Sequence, residues 1–344
     1  MAIASIPSTA RTPVFRGNGQ IDFEERPVQA PGPGQLLLRV RANAICGTDR
    51  HQYRDGSAVT PGHEGAGVVI QSGPATSTPA GTPGVVFMVD YCGACRSCRL
   101  GRTNSCLERR ADMGFSADGA YGPYELVHET NFFPVDPALE LAEATLLLDV
   151  MGTSGHALGR ARLVRPDIES VLVTGAGPVG LGIVAMVRMT FPEEVPVYVS
   201  DLVPFRLRLA ERLGGIPLDV SSSELAPALL AAGATQVDVA IDTTGKGAAR
   251  QAALSLLSRR GAFVCIGHGE GLTLDVSNDV IFPERSILGS EYFAYSELAG
   301  NHALMLANRG YISQILTHRF PVEEIGDAMD TMFRGEAGKV VVVQ

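Results

Sequence analysis

The chain has 344 residues, 45% hydrophobic and 19% charged, with a formal net charge of −9. That length favours two domains over one. The acidic balance, with no block of basic residues, argues against nucleic acid or an anionic membrane as partner. The opening residues MAIASIPSTAR carry neither a charged leader nor a continuous apolar core, so no signal peptide is expected. The longest uncharged apolar stretch, residues 171–187, is broken by Gly175, Gly177, Pro178, Gly180 and Gly182, and no membrane helix is expected there.

Between residues 12 and 150 the signals are short. Strands are predicted at 36–40, 66–71, 85–89 and 124–127, separated by turns such as PGPG at 31–34 and GTPG at 81–84. This half reads as an all-β, barrel-like domain, with residues 72–84 as its most flexible loop. From about residue 155, strands and helices alternate. A strand at 170–174 leads into GAGPVG and a helix to about 189. A strand at 197–200 ends at Asp201, and Pro204 opens a helix that stops at Gly214-Gly215. Further strands are predicted at 237–241 and 262–266, with a helix between them. Such alternation implies a parallel sheet with helices on both faces. The VVVV run at 340–343 reads as a strand returning to the first domain. The expected division is 1–150, 151–290 and a return over 291–344.

Cys92, Cys95, Cys98 and Cys106 read C-x2-C-x2-C-x7-C inside a lobe at 90–107. Four thiolates so close can enclose one tetrahedral Zn²⁺, and a closed four-thiolate site is structural. Two disulfides are the alternative. Zinc is favoured, because cysteines spaced two residues apart suit a metal better than bridges. The other cysteines are Cys46 and Cys265, and the whole pattern fits a reducing cytoplasm.

Gly175-Ala176-Gly177-Pro178-Val179-Gly180 matches G-x-G-x-x-G between a strand and a helix. Gly175 permits the turn, Gly177 lets the backbone approach a pyrophosphate, and Gly180 lets helix and strand pack closely. Asp201, closing the second strand, is the expected acceptor for the adenosine ribose hydroxyls, which favours NAD over NADP. It lies further along than the roughly 20 residues usual for that acid; the FPEEVP connection at 191–196 accounts for the excess. A helix cap beside Pro204 is the alternative for Asp201. Arg206 is a candidate to lie over the ribose.

A second constellation combines Cys46, in the run C-G-T-D-R-H, with His63, in G-H-E-G. A thiolate and an imidazole are two proper zinc ligands, and a catalytic site needs a third plus an open position. Asp149 follows an apolar run, where an unpaired carboxylate is costly and metal ligation relieves the cost.

In these motifs and their order the chain resembles the zinc-dependent medium-chain dehydrogenase/reductase family, the zinc alcohol and polyol dehydrogenases. The resemblance covers essentially the whole chain. It implies a GroES-like β-barrel catalytic domain and a Rossmann NAD-binding domain, with an active-site zinc in the cleft between them. It carries over Cys46 and His63 as catalytic zinc ligands. Asp149 stands where the family usually has Cys or Glu. Glu64 is either an alternate ligand or a group behind the metal, and Asp49 is the partner that holds the His63 ring. Two zincs per chain are expected, one catalytic and one structural.

The resemblance further implies oxidation of an alcohol to a carbonyl with hydride transfer to the nicotinamide. Thr48 takes the alcohol proton, and the relay passes through the cofactor ribose to His51 and solvent. Lys339 is a candidate for a cofactor phosphate, and Gly267 and His268 for the nicotinamide pocket. A carboxylate third ligand points to a polyol, cyclitol or sugar, with Tyr53, Arg54 and Asp55 as possible contacts. Alternatives are a general secondary alcohol or a threonine-type amino alcohol. A non-catalytic dinucleotide-binding protein with the structural zinc alone is the reading from another class. A homo-oligomer is expected, a tetramer before a dimer.

Overall fold

Short, turn-bounded segments build the first part of the chain. The computed structural model describes residues 6–344; residues 1–5, on which part of the N-terminal reading falls, lie outside the described residues. The first strands are β1 (Thr9–Gly17), β2 (Gln20–Pro27), β3 (Gln35–Ala44), β4 (Gly65–Ser72), β5 (Pro83–Val86), β6 (Val89–Asp90), β7 (Ala111–Asp112), β8 (Tyr124–His128) and β9 (Phe132–Pro134). The strand predicted at 85–89 is two strands. After Val86 the Phe87 N–H donates to the Asn131 carbonyl at 2.8 Å, and the chain leaves the β5–β9 pairing for the small β6–β7 ribbon. Sequence reading also missed the β1–β2 hairpin, whose turn puts Gly17, Asn18 and Gly19 all at positive φ. The loop at 72–84 is pinned. Backbone N–H and hydroxyl groups of Ser77 and Thr78 all donate to Oε1 of Glu129, at 2.6–2.9 Å.

Continuous apolar runs build a different architecture next: β10 (Val171–Thr174), β11 (Val197–Asp201), β12 (Ile216–Asp219), β13 (Val237–Asp242), β14 (Leu257–Cys265) and β15 (Ser286–Gly289). All pairings are parallel, in the order β12-β11-β10-β13-β14-β15. Every residue of β10 and β13 is buried, as expected of strands covered on both faces. Pro178 and Pro204 sit in the first turns of the helices Pro178–Thr190 and Pro204–Arg212, where the missing N–H costs nothing. The strand order reverses between β10 and β13, and that switch point is where such sheets bind ligands.

Strands β16 (Leu316–Pro321) and β17 (Lys339–Val343) complete the first sheet, in the order β16-β17-β3-β4-β5-β9 with β8 also paired to β3. Ile325, Ala328, Met329 and Met332 form the apolar stripe of the helix Ile325–Arg334 and pack with Phe15, Ile45, Tyr121, Val340 and Val342. Gly335, at φ +84°, ends that helix and lets β17 begin four residues later. The chain divides into two compact units: the stretch up to Asp149 with Ala294–Ala307 and Leu316–Gln344, and Val150–Phe293 with Asn308–Ile315.

Candidate active site

The lobe sulfurs come together as a metal cage. Cys92 Sγ lies 4.0 Å from Cys98 Sγ and 3.6 Å from Cys106 Sγ, and Cys95 Sγ lies 3.9 Å from Cys106 Sγ. A tetrahedron with zinc–sulfur bonds of about 2.3 Å puts neighbouring sulfurs roughly 3.8 Å apart, whereas a disulfide needs about 2.05 Å. All six cysteines are unbridged. Backbone N–H groups of Cys95 and Leu107 aim at Cys92 Sγ and Cys95 Sγ, at 3.2 and 3.4 Å. Backbone donors from Cys98 and Leu107 hold the Cys95 thiol down at about 6, while burial and neighbouring thiols push Cys98 up to about 12. The cage favours negative sulfur on one side and needs a cation to hold all four.

The second constellation lies wholly within the first unit. Ligand atoms of Cys46, His63, Glu64 and Asp149 all fall within 4.8 Å of one another. Cys46 follows β3, and His63 and Glu64 immediately precede β4, so the pairing of these two neighbouring strands brings the loops together. Asp149 sits in the π-helical turn Leu148–Thr153, after the fully buried Leu146, Leu147 and Leu148. Its Oδ2 is 3.7 Å from His63 Nε2. On the other side of the ring, Asp49 Oδ1 is 3.3 Å from Nδ1, off the line of a formal hydrogen bond. Asp49 is itself held: its Oδ2 accepts the Cys46 N–H at 2.9 Å and the Tyr121 hydroxyl at 2.7 Å.

The electrostatics ask for a cation. Burial raises the Cys46 thiol, and the Asp149 carboxylate raises it further. Burial opposes charge on His63, yet Asp49 and Asp149 raise the imidazole well above its ordinary value. Burial also opposes the charge on Asp149, but His63 and Lys339 pull its pKa below the usual carboxylate range. A proton on His63 therefore stands where a metal would do the same work for three ligands at once. Cys46, His63 and Asp149 offer sulfur, nitrogen and oxygen donors of the kinds zinc takes.

Glu64 is occupied from behind. Lys339, 1% exposed, donates from Nζ to Glu64 Oε1, while Glu64 Oε2 has no partner. Lys339, a cofactor-phosphate candidate on sequence, is thus the buried counter-ion of Glu64. Sequence reading also missed Tyr121, and no local pattern near GAYGPY marks it as the support of Asp49. Thr48 precedes the helix Asp49–Asp55, but its hydroxyl caps nothing; it is buried and has no partner. His51 is exposed on that helix, 3.4 Å from the Arg54 guanidinium. Of the suggested substrate contacts, Arg54 pairs with Asp55 and Tyr53 donates to Asp330 at 3.2 Å. The ring beside the ligands is Phe115, 4.9 Å from the His63 ring.

In the second unit the glycines divide their labour as their positions suggest. Gly175 has φ +93°, and a Cβ on Gly180 would lie 1.8 Å from the Gly175 carbonyl oxygen. A Cβ on Gly177 would meet nothing within 4 Å, which leaves open space over the backbone for a pyrophosphate. Gly177 caps the helix Pro178–Thr190, and the Val179 carbonyl accepts the Ser154 hydroxyl at 2.9 Å. Asp201 Oδ2 accepts the Ala176 N–H at 2.7 Å, and Oδ1 accepts the Val203 N–H at 2.9 Å. The acid therefore ties the turn to the second strand and also serves the start of the next helix. Each oxygen keeps a lone pair for a ribose hydroxyl. Arg206 is half-buried in the first turn of the helix Pro204–Arg212, and Gly267 and His268 follow the end of β14.

Comparison with known proteins places this architecture. Residues 32–137 match the alcohol dehydrogenase GroES-like domain, and residues 178–307 match the zinc-binding dehydrogenase model. An uncharacterized zinc-type alcohol dehydrogenase-like protein of Escherichia coli (strain K12) is 30% identical over 346 residues, covering 95% of this chain and 96% of that protein. An L-threonine 3-dehydrogenase of Sinorhizobium medicae (strain WSM419) is 32% identical over 341 residues, covering 93% and 94%. A solved structure of a putative zinc-binding dehydrogenase from Sinorhizobium meliloti 1021, bound to NADP, superposes with a TM-score of 0.84 at 26% identity, covering 98% and 100%. With near-full-length relatives at this identity, the chain belongs to the zinc-dependent medium-chain dehydrogenase/reductase family, oxidoreductases of the zinc alcohol dehydrogenase type.

Proposed function

We propose that this enzyme oxidises a secondary alcohol, of the polyol, cyclitol or sugar class, to a carbonyl with NAD as hydride acceptor. The observation that carries the reading is the convergent set of half-buried Cys46 with buried His63 and Asp149, together with a buried Thr48 hydroxyl that has no hydrogen-bond partner. Zinc, when bound there, supplies Lewis acidity that lowers the pKa of an alcohol. Asp49 orients the His63 ring, and Tyr121 orients Asp49. The Thr48 hydroxyl takes the alcohol proton while handing its own on by way of the cofactor ribose, and exposed His51 delivers a proton to solvent. Glu64, held by Lys339, stands behind the ligands as an alternate donor. The Cys92, Cys95, Cys98 and Cys106 cage holds a second, structural zinc. Asp201, the acid that closes β11, supports NAD over NADP.

A threonine-type amino alcohol is the second reading, supported by the L-threonine 3-dehydrogenase relatives. The two are separated by initial rates with polyols, cyclitols, sugars, simple secondary alcohols and L-threonine, each with NAD⁺ and NADP⁺. Preference for NADP⁺ by an order of magnitude overturns the role given to Asp201. Zinc analysis tests the catalytic reading itself: two ions per chain are expected, and one alone would leave a dinucleotide-binding protein with a structural metal. We further propose a homo-oligomer, a tetramer before a dimer, read out by light scattering. The unbridged cysteines fit a cytoplasmic setting, and among the described residues no helix is long and apolar enough to cross a membrane.

A further inference from the structure

We propose that Arg250 is a positioning residue that sets the backbone receiving the nicotinamide half of the dinucleotide; this rests on the dinucleotide reading above. Arg250 lies in the helix Gly247–Ser255 and is only 9% exposed. Its Nε donates to Asp242 Oδ2 at 2.8 Å, its Nη1 to the Glu270 carbonyl, and its Nη2 to the Gly267 carbonyl. Asp242 is fully buried at the end of β13. Its Oδ1 accepts the Thr174 hydroxyl at 2.9 Å, the Thr244 hydroxyl at 2.6 Å and the Thr244 N–H at 3.0 Å. One guanidinium–carboxylate pair therefore joins the carboxyl ends of β10, β13 and β14.

The two loops beyond those ends are interlocked, main chain on main chain. The N–H groups of Ile266 and Gly267 donate to the Asp242 carbonyl at 2.9 and 3.0 Å, and that of Glu270 to the Gly245 carbonyl at 2.8 Å. A Cβ on Gly245 would lie 2.0 Å from the His268 carbonyl oxygen. One on Gly267 would lie 2.3 Å from the Gly245 nitrogen, and one on Gly269 would lie 2.5 Å from the Gly245 carbonyl oxygen. None of the three positions has room for a side chain, so these glycines serve a contact distinct from the GAGPVG turn.

Topology says what this clasp faces. The strand order reverses between β10 and β13, and a dinucleotide straddles such a reversal. The GAGPVG turn follows β10 and Asp201 ends β11, so the adenosine half belongs over those strands. The other half must then lie over the ends of β13 and β14, where Arg250 works. A buried ion pair adds little stability over well-packed apolar groups, but it defines one arrangement. The planar fork of Arg250, taking two carbonyls from one loop, selects a single path for residues 266–270.

The test compares NADH with ADP-ribose, which shares everything except the nicotinamide, in wild type, Arg250→Lys and Arg250→Gln. Arg250→Lys keeps a charge against Asp242 but cannot fork, so it remains informative if the glutamine variant fails to fold. We expect NADH to bind about tenfold or more weakly to either variant, because preorganisation of its nicotinamide contacts is lost, with ADP-ribose unchanged within about twofold. Retention of NADH affinity, or parallel weakening of both ligands with a falling Tm, overturns the proposal. If wild type binds NADH no better than ADP-ribose, the dinucleotide reading stands and this inference falls. If wild type binds neither, both fall.

Discussion

Asp149 carries the largest consequence of any single side chain. In the proposed zinc site it is the third donor beside Cys46 and His63, and the turn Leu148–Thr153 brings its Oδ2 to 3.7 Å from the His63 ring. Asp149→Ala should lower the zinc content from two ions per chain to one. Turnover should fall more than about 100-fold, since even a support behind a ligand is worth 10–100-fold. Retained metal and rate would shift the ligand set to Glu64. Away from the site, Glu125 is 2% exposed on β8, its Oε2 has no partner, and burial beside Asp118 raises its pKa well above the carboxylate norm. A raised folded pKa gives stability that is present below about 4.5 and lost as pH rises through the folded value. Glu125→Gln, which mimics the neutral form, should match wild type in acid and exceed it by about 1–3 kcal/mol at alkaline pH. Thermal melts from pH 4.5 upward check this, and a gap that stays constant with pH sinks it.

Among the elements, the cysteine lobe should depend most directly on the proposed structural zinc. Its helix Arg96–Arg99 is one turn long with no buried residue, and Leu100 and Leu107 are exposed. Metal binding supplies the folding free energy of such small loops. Cys98→Ser should lose one zinc and keep the other. Exposed Arg96, Arg99 and Arg102 should then become preferred sites for trypsin, visible as early cleavage inside the lobe. An unchanged digestion pattern would mean that the lobe is held by its protein contacts alone. The β1–β2 hairpin shows how legible an element can be and still be passed over. Asn18-Gly19 between two segments that pair antiparallel is a strong hairpin signal. The break after Val86 had no such signal, because Val85 to Val89 is uniformly apolar and only pairing with Asn131 and β7 divides it.

At the scale of the whole molecule, the metal ligands belong to one unit and the dinucleotide turn to the other. Removing zinc with a chelator should therefore abolish turnover while leaving NADH affinity within about twofold, because the glycine turn, Asp201 and the Arg250 clasp involve no metal ligand. Fluorescence titration of the stripped protein measures this. A collapse of NADH binding would show that the two units fold or close only with metal present.

The residues that name the chemistry were legible in the chain alone. Cysteine spacing, the glycine turn, the acid ending a strand and the switch from short strands to alternating strands and helices are all local patterns. Each follows from backbone geometry or ligand number over a few residues. The partners that hold those residues were decided by tertiary structure. Lys339 reaches Glu64 across 275 positions, and Tyr121 reaches Asp49 across 72. Arg250 was unremarkable in sequence until its helix placed it against the end of β13 and the loop that follows β14. Periodicity records which face of an element is buried. Which distant polar group shares that burial depends on how the elements pack, and burial makes the pairing obligatory.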